Sequence, residues 1–246
     1  MEIKFSAKDK IRGLKLPNKI TSDLAYLCGV FAGDGSFYHN KPKKQFTLKC
    51  VGNPKDEKEF YIEVLGPKFK DLFGFLLDIR YHDAKTTFGF VITSKALIYY
   101  LTEIIGLPLG SKYDKLRIPE IFTENLDLTI NFIRGVFDTD GCICFKKRYR
   151  DYPYYPVISM ASKSEQFVRD IANVLKDLSF NIVEIYNYKV MDCRAKRGFT
   201  IINKIELNGK NNLNVWLKKI GFFNPKHMGK IKKIAGEGIS EHSNSG

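Results

Sequence analysis

Apolar and polar positions follow one order twice along this chain. The apolar run LAYLCGVFAG follows the polar cluster Thr21, Ser22 and Asp23 and stops at Gly33, Asp34 and Gly35, which predicts a capped helix. Alternation then sets Phe37 and His39 on one strand face and Ser36, Tyr38 and Asn40 on the other. On that apolar face His39 is expected to be a buried core histidine. A basic turn, NKPKKQ, leads to a second strand, FTLKCV, with Thr47 and Lys49 opposite Phe46, Leu48 and Cys50. A helix after Pro54, strands in DIRYHD and FGFVIT, and a helix in KALIYYLTEI complete the first round. The second round opens with a helix through NFIRGVFDT, capped by Thr129 or Asn131 and stopped at Gly141. Strands ICFKKRYR and YPVISM, helix SEQFVRDIANVLKDL, strands VEIYNYKV and FTIINKIEL, and helix NNLNVWLKKI follow. The unit is αββαββα and the chain is α+β.

Residue identities carry the same repeat. LCGVFAGDGSF (27–37) returns as IRGVFDTDGCI (133–143), and SKALIYYLTEIIG (94–106) aligns without gaps to GKNNLNVWLKKIG (209–221). The offsets are 106 and 115 residues, so the second copy is nine residues longer between these landmarks. KLPNKITSDL (15–24) is echoed by RIPEIFTENL (117–126). These landmarks divide the chain into repeats at 1–113 and 126–233, a linker at 114–125 and a flexible tail at 234–246.

Composition narrows the partner. The 246 residues carry a formal charge of +13 with 44% hydrophobic residues, which suits a folded basic protein and excludes a disordered basic tail as its main content. Cutting after Asn125 leaves both halves basic, the second more so. Nucleic acid is the leading partner, ahead of an anionic membrane surface or a lysine-rich surface that serves solubility alone. No apolar run is long enough to span a membrane, and the charged start MEIKFSAKDK has no signal-peptide character. The five cysteines form an odd, scattered set apart from Cys142 and Cys144, as expected for reduced thiols in a non-secreted, intracellular protein.

The motif ends carry the candidate chemistry. Gly29 and Gly135 sit mid-helix, where glycine costs about 1 kcal/mol relative to alanine. That cost suggests two helices packed glycine to glycine, with Gly33 and Thr139 keeping the contact short. Asp34 and Asp140 would then meet near a pseudo-twofold axis, where divalent cations would relieve their repulsion; magnesium suits carboxylate and phosphate oxygens. The two segments resemble the paired motifs of LAGLIDADG homing endonucleases in their single-chain form, and the resemblance covers roughly residues 15–226. It implies motif helices packed at the centre and antiparallel sheets forming a saddle over the DNA major groove. It implies metal-assisted cutting of both strands of a long double-stranded target by a monomer of an intron- or intein-type, free-standing homing enzyme. It places Mg2+ or Mn2+, two or three ions, between Asp34, Asp140 and DNA phosphates, beside Gly33 and Thr139.

The sixth motif position, acidic in the family, is Ala32 in one copy and Asp138 in the other, an asymmetry expected to be structural. At the end of the second strand, where the family places Gln and Lys near the reaction centre, stand Ser162 and Lys163 in the second copy. Asn53 and Lys55 are the first-copy candidates, with Pro54 blurring the register and unequal cutting of the two strands as the consequence. Alternation on the saddle selects Tyr38, Asn40, Lys43, Lys44, Gln45, Thr47, Lys49, Arg80, His82 and Lys85 to contact DNA. In the second copy it selects Lys146, Arg148 and Arg150, with Ser159 on the partner strand, while Tyr186, Tyr188, Arg194, Lys196 and Arg197 flank the longer hairpin that holds the extra residues. A lone lysine among these is more suited to phosphate than to a base edge. A calcium loop at Asp138 fails, because Cys142 and Tyr149 would occupy its fifth and twelfth positions. Zinc spacings, a P-loop and a dinucleotide fingerprint are absent, and Met1 with the tail EHSNSG speaks against a self-splicing intein. The rival reading is a non-cleaving relative, an intron RNA maturase or a DNA-binding regulator.

Overall fold

In a computed structural model, which describes residues 3–147 and 154–242, both motif segments are helical. The first, α2 (Ser22–Gly33), starts where the Thr21 hydroxyl accepts the Leu24 amide at 3.2 Å. The second, α6 (Leu126–Thr139), starts earlier than its sequence suggested. Asn125 caps it by accepting the amides of Asp127 and Leu128, which leaves Thr129 and Asn131 inside the helix. Their polar atoms bond backward instead, the Thr129 hydroxyl to Phe122 O and the Asn131 amide to Asp127 O. From Leu24 to Ala32 every residue of α2 is buried, as expected of a helix that is apolar all round.

The expected close approach is present. A Cβ built on Gly29 would lie 2.0 Å from the Phe132 carbonyl oxygen, and one on Gly135 would lie 2.2 Å from that of Tyr26. Backbone therefore meets backbone along this seam, and any side chain would part the helices.

Each repeat folds its strands identically. β1 (Gly35–Asn40), β2 (Gln45–Gly52), β3 (Arg80–His82) and β4 (Thr87–Thr93) form an antiparallel sheet in the order β1-β2-β4-β3. β5 (Gly141–Lys146), β6 (Tyr155–Ser162), β7 (Ile182–Met191) and β8 (Phe199–Asn208) repeat it as β5-β6-β8-β7. Helices cover one face of each sheet. In the first repeat these are a π-wound turn (Phe60–Leu65) running into α3 (Gly66–Phe73), and α4 (Lys95–Tyr99) running into a second π-wound turn (Tyr100–Ile104). In the second they are α7 (Glu165–Asp177) and α8 (Lys210–Lys219). Trp216 of α8 is fully buried against Phe137, Phe180 and Phe222.

Three helices lie outside the repeat. α1 (Ala7–Ile11) is held by a capping box of Ser6 and Asp9, and α5 (Glu120–Thr123) lies in the linker. α9 (Pro225–His242) continues past residue 233 as helix to His242, in place of an irregular tail. No helix among the described residues is long and apolar enough to cross a membrane.

Strand alternation holds in the middle of the sheets and fails at their margins. His39 is exposed, not in the core: it stands one residue from the end of β1, where its ring stacks on the paired Phe46 with centroids 4.0 Å apart. Thr47 lies on the outer face but is only 3% exposed, hemmed in by Tyr38 and Thr93 on the neighbouring strands. A bulge between Ile185 and Tyr188, with Asn187 at φ 54°, changes the facing of β7. Tyr188 turns outward, while Tyr186 turns to the helix side, donates to Glu184 and lies under the Arg169 guanidinium of α7.

Candidate active site and nucleic-acid interface

The motif helices end side by side, and Asp34 and Asp140 are their C-caps, with amides bonded to Val30 O and Val136 O at 2.9 Å. The residues beneath them are small for a visible reason. A Cβ on Gly33 would lie 2.1 Å from Thr139 Oγ1 and 3.4 Å from the Asp140 carboxyl carbon. Gly35 and Gly141, just after the acids, lie against the Phe31 and Phe137 carbonyls, where a Cβ would come within 2.4 and 2.3 Å. The Thr139 hydroxyl donates back to Gly135 O and Val136 O, along its own helix.

Electrostatic strain is concentrated here. Burial, then the charges of Asp140 and Glu57, push the Asp34 carboxyl up to about 7, against the Tyr61 hydroxyl, which donates to it at 3.1 Å, and the Lys112 ammonium. Asp140 is open to solvent along one edge. The atoms packed around its carboxyl still raise its pKa, with Glu57 adding and Lys112 opposing. Both acids also stand at the negative ends of helices. The arrangement suits a cation.

Three residues of this centre carry no sequence signal in the motif. Lys112 returns from the connection after α4 and donates to Ala32 O at 2.8 Å and Gly33 O at 2.6 Å. Burial lowers its pKa, while Asp140 and Asp34 oppose the shift. Tyr61 links Asp34 to Cys50, whose sulfur is 3.8 Å from the hydroxyl. Glu57, 6% exposed, accepts the Asn53 amide at 2.6 Å and the Lys226 ammonium at 2.7 Å, tying α9 to the first repeat.

A cleft of about 440 Å³ opens beside Asp140 and draws its walls from both repeats, including Gly33, Lys112, Tyr113, Ser162 and Lys163. Lys163 and Asp140 thus line one cleft. Asn53 and Lys55 line no part of this cleft: Asn53 Oδ1 accepts the Lys55 amide at 2.9 Å in the turn after β2. Pairing of Gly35 with Cys50 and of Gly141 with Met160 sets Asn53 at the position of Lys163. The repeat offset sets Lys112 on His227, which is fully buried and pushed down to about 4 by burial. The carbonyls of Asp138 and Phe137 lie close to that ring, but neither nitrogen makes a hydrogen bond of normal geometry among the described residues.

Asp138 is structural. It is fully buried and accepts Tyr26 Oη at 2.8 Å and the Phe223 amide at 3.0 Å, and burial raises it to about 6. No group of three or more His, Cys, Asp or Glu side chains able to hold a metal occurs among the described residues. Two carboxylates fit a hard divalent cation that completes its shell with water and phosphate, not an all-protein cage, while the Gly33 carbonyl expected beside them is taken by the Lys112 ammonium.

Tyr38, Gln45, Arg80, Lys146 and Tyr188 are exposed on the strands, and Lys43, Lys44, Lys85, Arg194, Lys196 and Arg197 are exposed in the connections between them. Asn40 accepts the Lys43 amide, Lys49 pairs with Asp83 at 2.8 Å, and His82 bonds to Gly89 O at 3.2 Å. Ser159 is half-buried between Cys142 and Glu206. Arg148 and Arg150 lie outside the described residues.

A sequence profile described as a LAGLIDADG-like domain matches residues 127–221. Among curated proteins, the chain is 28% identical over 222 residues to the glutamine–fructose-6-phosphate aminotransferase of Methanocaldococcus jannaschii, covering 90% of this chain and 18% of that protein. It is 26% identical over 164 residues to the tRNA-splicing ligase RtcB of Methanopyrus kandleri, covering 64% of this chain and 15% of the other. The chain spans less than a fifth of either relative's length. Among solved structures, mesophilic variants of the homing endonuclease I-DmoI superpose with a TM-score of 0.56 at 15% identity, covering 81% of this chain and 90% of that one. I-DmoI in complex with DNA and Ca gives a TM-score of 0.53 at 14% identity, covering 81% and 88%. The LAGLIDADG meganuclease I-AabMI bound to uncleaved DNA gives 0.51 at 14%, covering 92% and 93%. Residues 127–221 thus match a LAGLIDADG-like domain, and the chain as a whole has the two-repeat fold seen in the LAGLIDADG homing endonucleases.

Proposed function

We propose that the chain is a site-specific DNA endonuclease that hydrolyses both strands of a long, asymmetric duplex with divalent-metal assistance, acting as a monomer in intron- or intein-type homing. The observation that carries this reading is the pair Asp34 and Asp140, brought together by a glycine seam beneath two basic, outward-facing sheets. The neighbours described in complex with target DNA and Mn, or with DNA and Ca, support it. So does the overlap of the two curated matches on this chain. An aminotransferase and an RNA ligase share no activity, so the segment common to them is independent of its surroundings, as an inserted homing module would be.

Asp34 and Asp140 would hold the cation. Bound there, such a cation lowers the pKa of water and neutralises charge on the phosphate oxygens. The chain's own residues do the remainder. Tyr61 keeps the Asp34 carboxylate oriented by donating to it. Lys112 offsets part of the negative charge of the two acids, and Lys163 faces the cleft beside Asp140, placed to stabilise charge that develops on a phosphate there. Lysines and arginines on the sheets hold the backbone, while Tyr38, Gln45 and Arg80 are exposed for reading base edges in the major groove.

The test uses a duplex made by joining the two sequences that flank this coding segment, each strand labelled at one end. With Mg2+ the wild type is expected to cut both strands, while Asp34→Asn and Asp140→Asn bind and do not cut. Binding without cutting by the wild type would favour the maturase or regulator reading, and wild-type rates preserved in both variants would sink the catalytic assignment.

A further inference from the structure

Two neighbouring residues in the connection between repeats serve the two acids differently. Lys112 turns toward the end of α2, whereas Tyr113 turns its ring beneath the Lys163 ammonium, with Nζ 4.8 Å from the ring centroid. Tyr113 is 51% exposed, so its ring is not needed to fill a core. Together with Lys163 it lines both the cleft that holds Asp140 and a second cleft of about 440 Å³. The walls of that second cleft include Lys196, Arg197, Phe199 and Thr200, from the hairpin of β7 and β8. The two clefts meet at the Tyr113–Lys163 pair, one holding Asp140 and the other Lys196 and Arg197. A lysine stem has many rotamers, and an aromatic face beneath the ammonium selects among them without taking its charge.

We propose that Tyr113 is a positioning residue that fixes Lys163 at the junction of the two clefts, so that its ammonium faces the phosphate beside Asp140 while the next phosphates of that strand pass toward Lys196 and Arg197. This rests on the nuclease reading above. Asn53, at the position matching Lys163, has no ammonium to hold, so the effect of Tyr113 falls on one strand only.

The experiment compares Tyr113→Ala and Tyr113→Phe in single-turnover cutting of the same end-labelled duplex with Mg2+. Tyr113→Ala is expected to slow one strand about two- to fivefold, the range of an exposed cation–π contact, with DNA affinity and the other strand unchanged. Tyr113→Phe, which keeps the ring, recovers most of the rate. In a Lys163→Met background Tyr113→Ala has no further effect. Equal slowing of both strands, failure of Tyr113→Phe to recover, or an undiminished effect without Lys163 would each overturn the proposal. A second readout needs no cutting. In lysine-labelled protein the Lys163 ε-methylene signal, identified by its loss in Lys163→Met, is shifted upfield by the ring in the wild type and in Tyr113→Phe. It returns to the ordinary lysine position in Tyr113→Ala. An unshifted signal in the wild type overturns the positioning role whatever the protein cuts. A shifted signal in a wild type that cuts neither strand overturns the nuclease reading, and the strand effect with it.

Discussion

Replacing Asp34 with Asn is expected to stabilise the protein above neutral pH while abolishing cutting. Burial, Asp140 and Glu57 raise the Asp34 carboxyl from the ordinary 3.8 to about 7, so the folded protein binds this proton more tightly than the unfolded chain does. The stability conferred by the protonated group is complete below pH 3.8 and is lost as pH rises through about 7. At about 1.4 kcal/mol per unit the ceiling is about 4 kcal/mol, and solvent along the open edge of the site reduces it to about 2 kcal/mol. Asparagine imitates the protonated acid and still accepts the Tyr61 hydroxyl. In EDTA at pH 8, Asp34→Asn should therefore melt about 4 to 8 °C above the wild type. At pH 3.5, where folded and unfolded wild type both carry the proton, the two should melt together. Adding Mg2+ at pH 8 should close the gap from the wild-type side, because a cation bound only by the folded state stabilises it. A variant that melts below the wild type at pH 8, or by the same margin at both pH values, would refute the electrostatic account of the pair.

Gly29→Ala sets a methyl 2.0 Å from the Phe132 oxygen, so α2 and α6 must part by more than about 1 Å; urea unfolding should show a loss of about 3 kcal/mol, and a change below about 0.5 kcal/mol would contradict the seam. Lys226→Met leaves the buried Glu57 unpaired and should cost about 3 to 5 kcal/mol, most of it regained in the Glu57→Gln/Lys226→Met double variant. Tyr188→Ala should weaken DNA binding severalfold in a gel-shift assay, whereas Tyr186→Phe should not, because that ring faces α7; equal effects would mean that the bulge in β7 is misplaced. DNA affinity should fall steeply and linearly in log[salt], a slope that Lys196→Ala reduces by about one unit if this lysine contacts a phosphate.

The repeat, the strand order within it and the two acids were all legible in the chain, because each rests on local pattern or on identity between copies. The cap of α6 was misread because Thr129 and Asn131 are good capping residues that lie one turn inside, while Asn125 satisfies two amides at once. Alternation puts Thr47 on the DNA face, and the longer hairpin of the second copy puts Tyr186 there. Alternation cannot register crowding by neighbouring strands or a bulge that reverses the facing. Lys112 and Glu57 were invisible for another reason. Lys112 sits in an aperiodic connection, and its role arises only when that connection folds back on α2. Glu57 stands in a turn that the second copy shortens, where helix α7 starts directly after Ser164. The repeat alignment did set Lys112 against a histidine, but nothing in sequence says that His227 is buried.

The glycine seam has a consequence for how such a protein can change. Side chains elsewhere in the core can be exchanged for others of similar volume, but at Gly29 and Gly135 the gap is already one of atomic radii. The spacing of Asp34 and Asp140 is therefore a fixed ruler, carried by the backbone and insulated from drift on the sheets. On the nuclease reading, substitutions at Tyr38, Gln45, Arg80 or Tyr188 would redirect which sequence is held, while the spacing between the two acids stays the same.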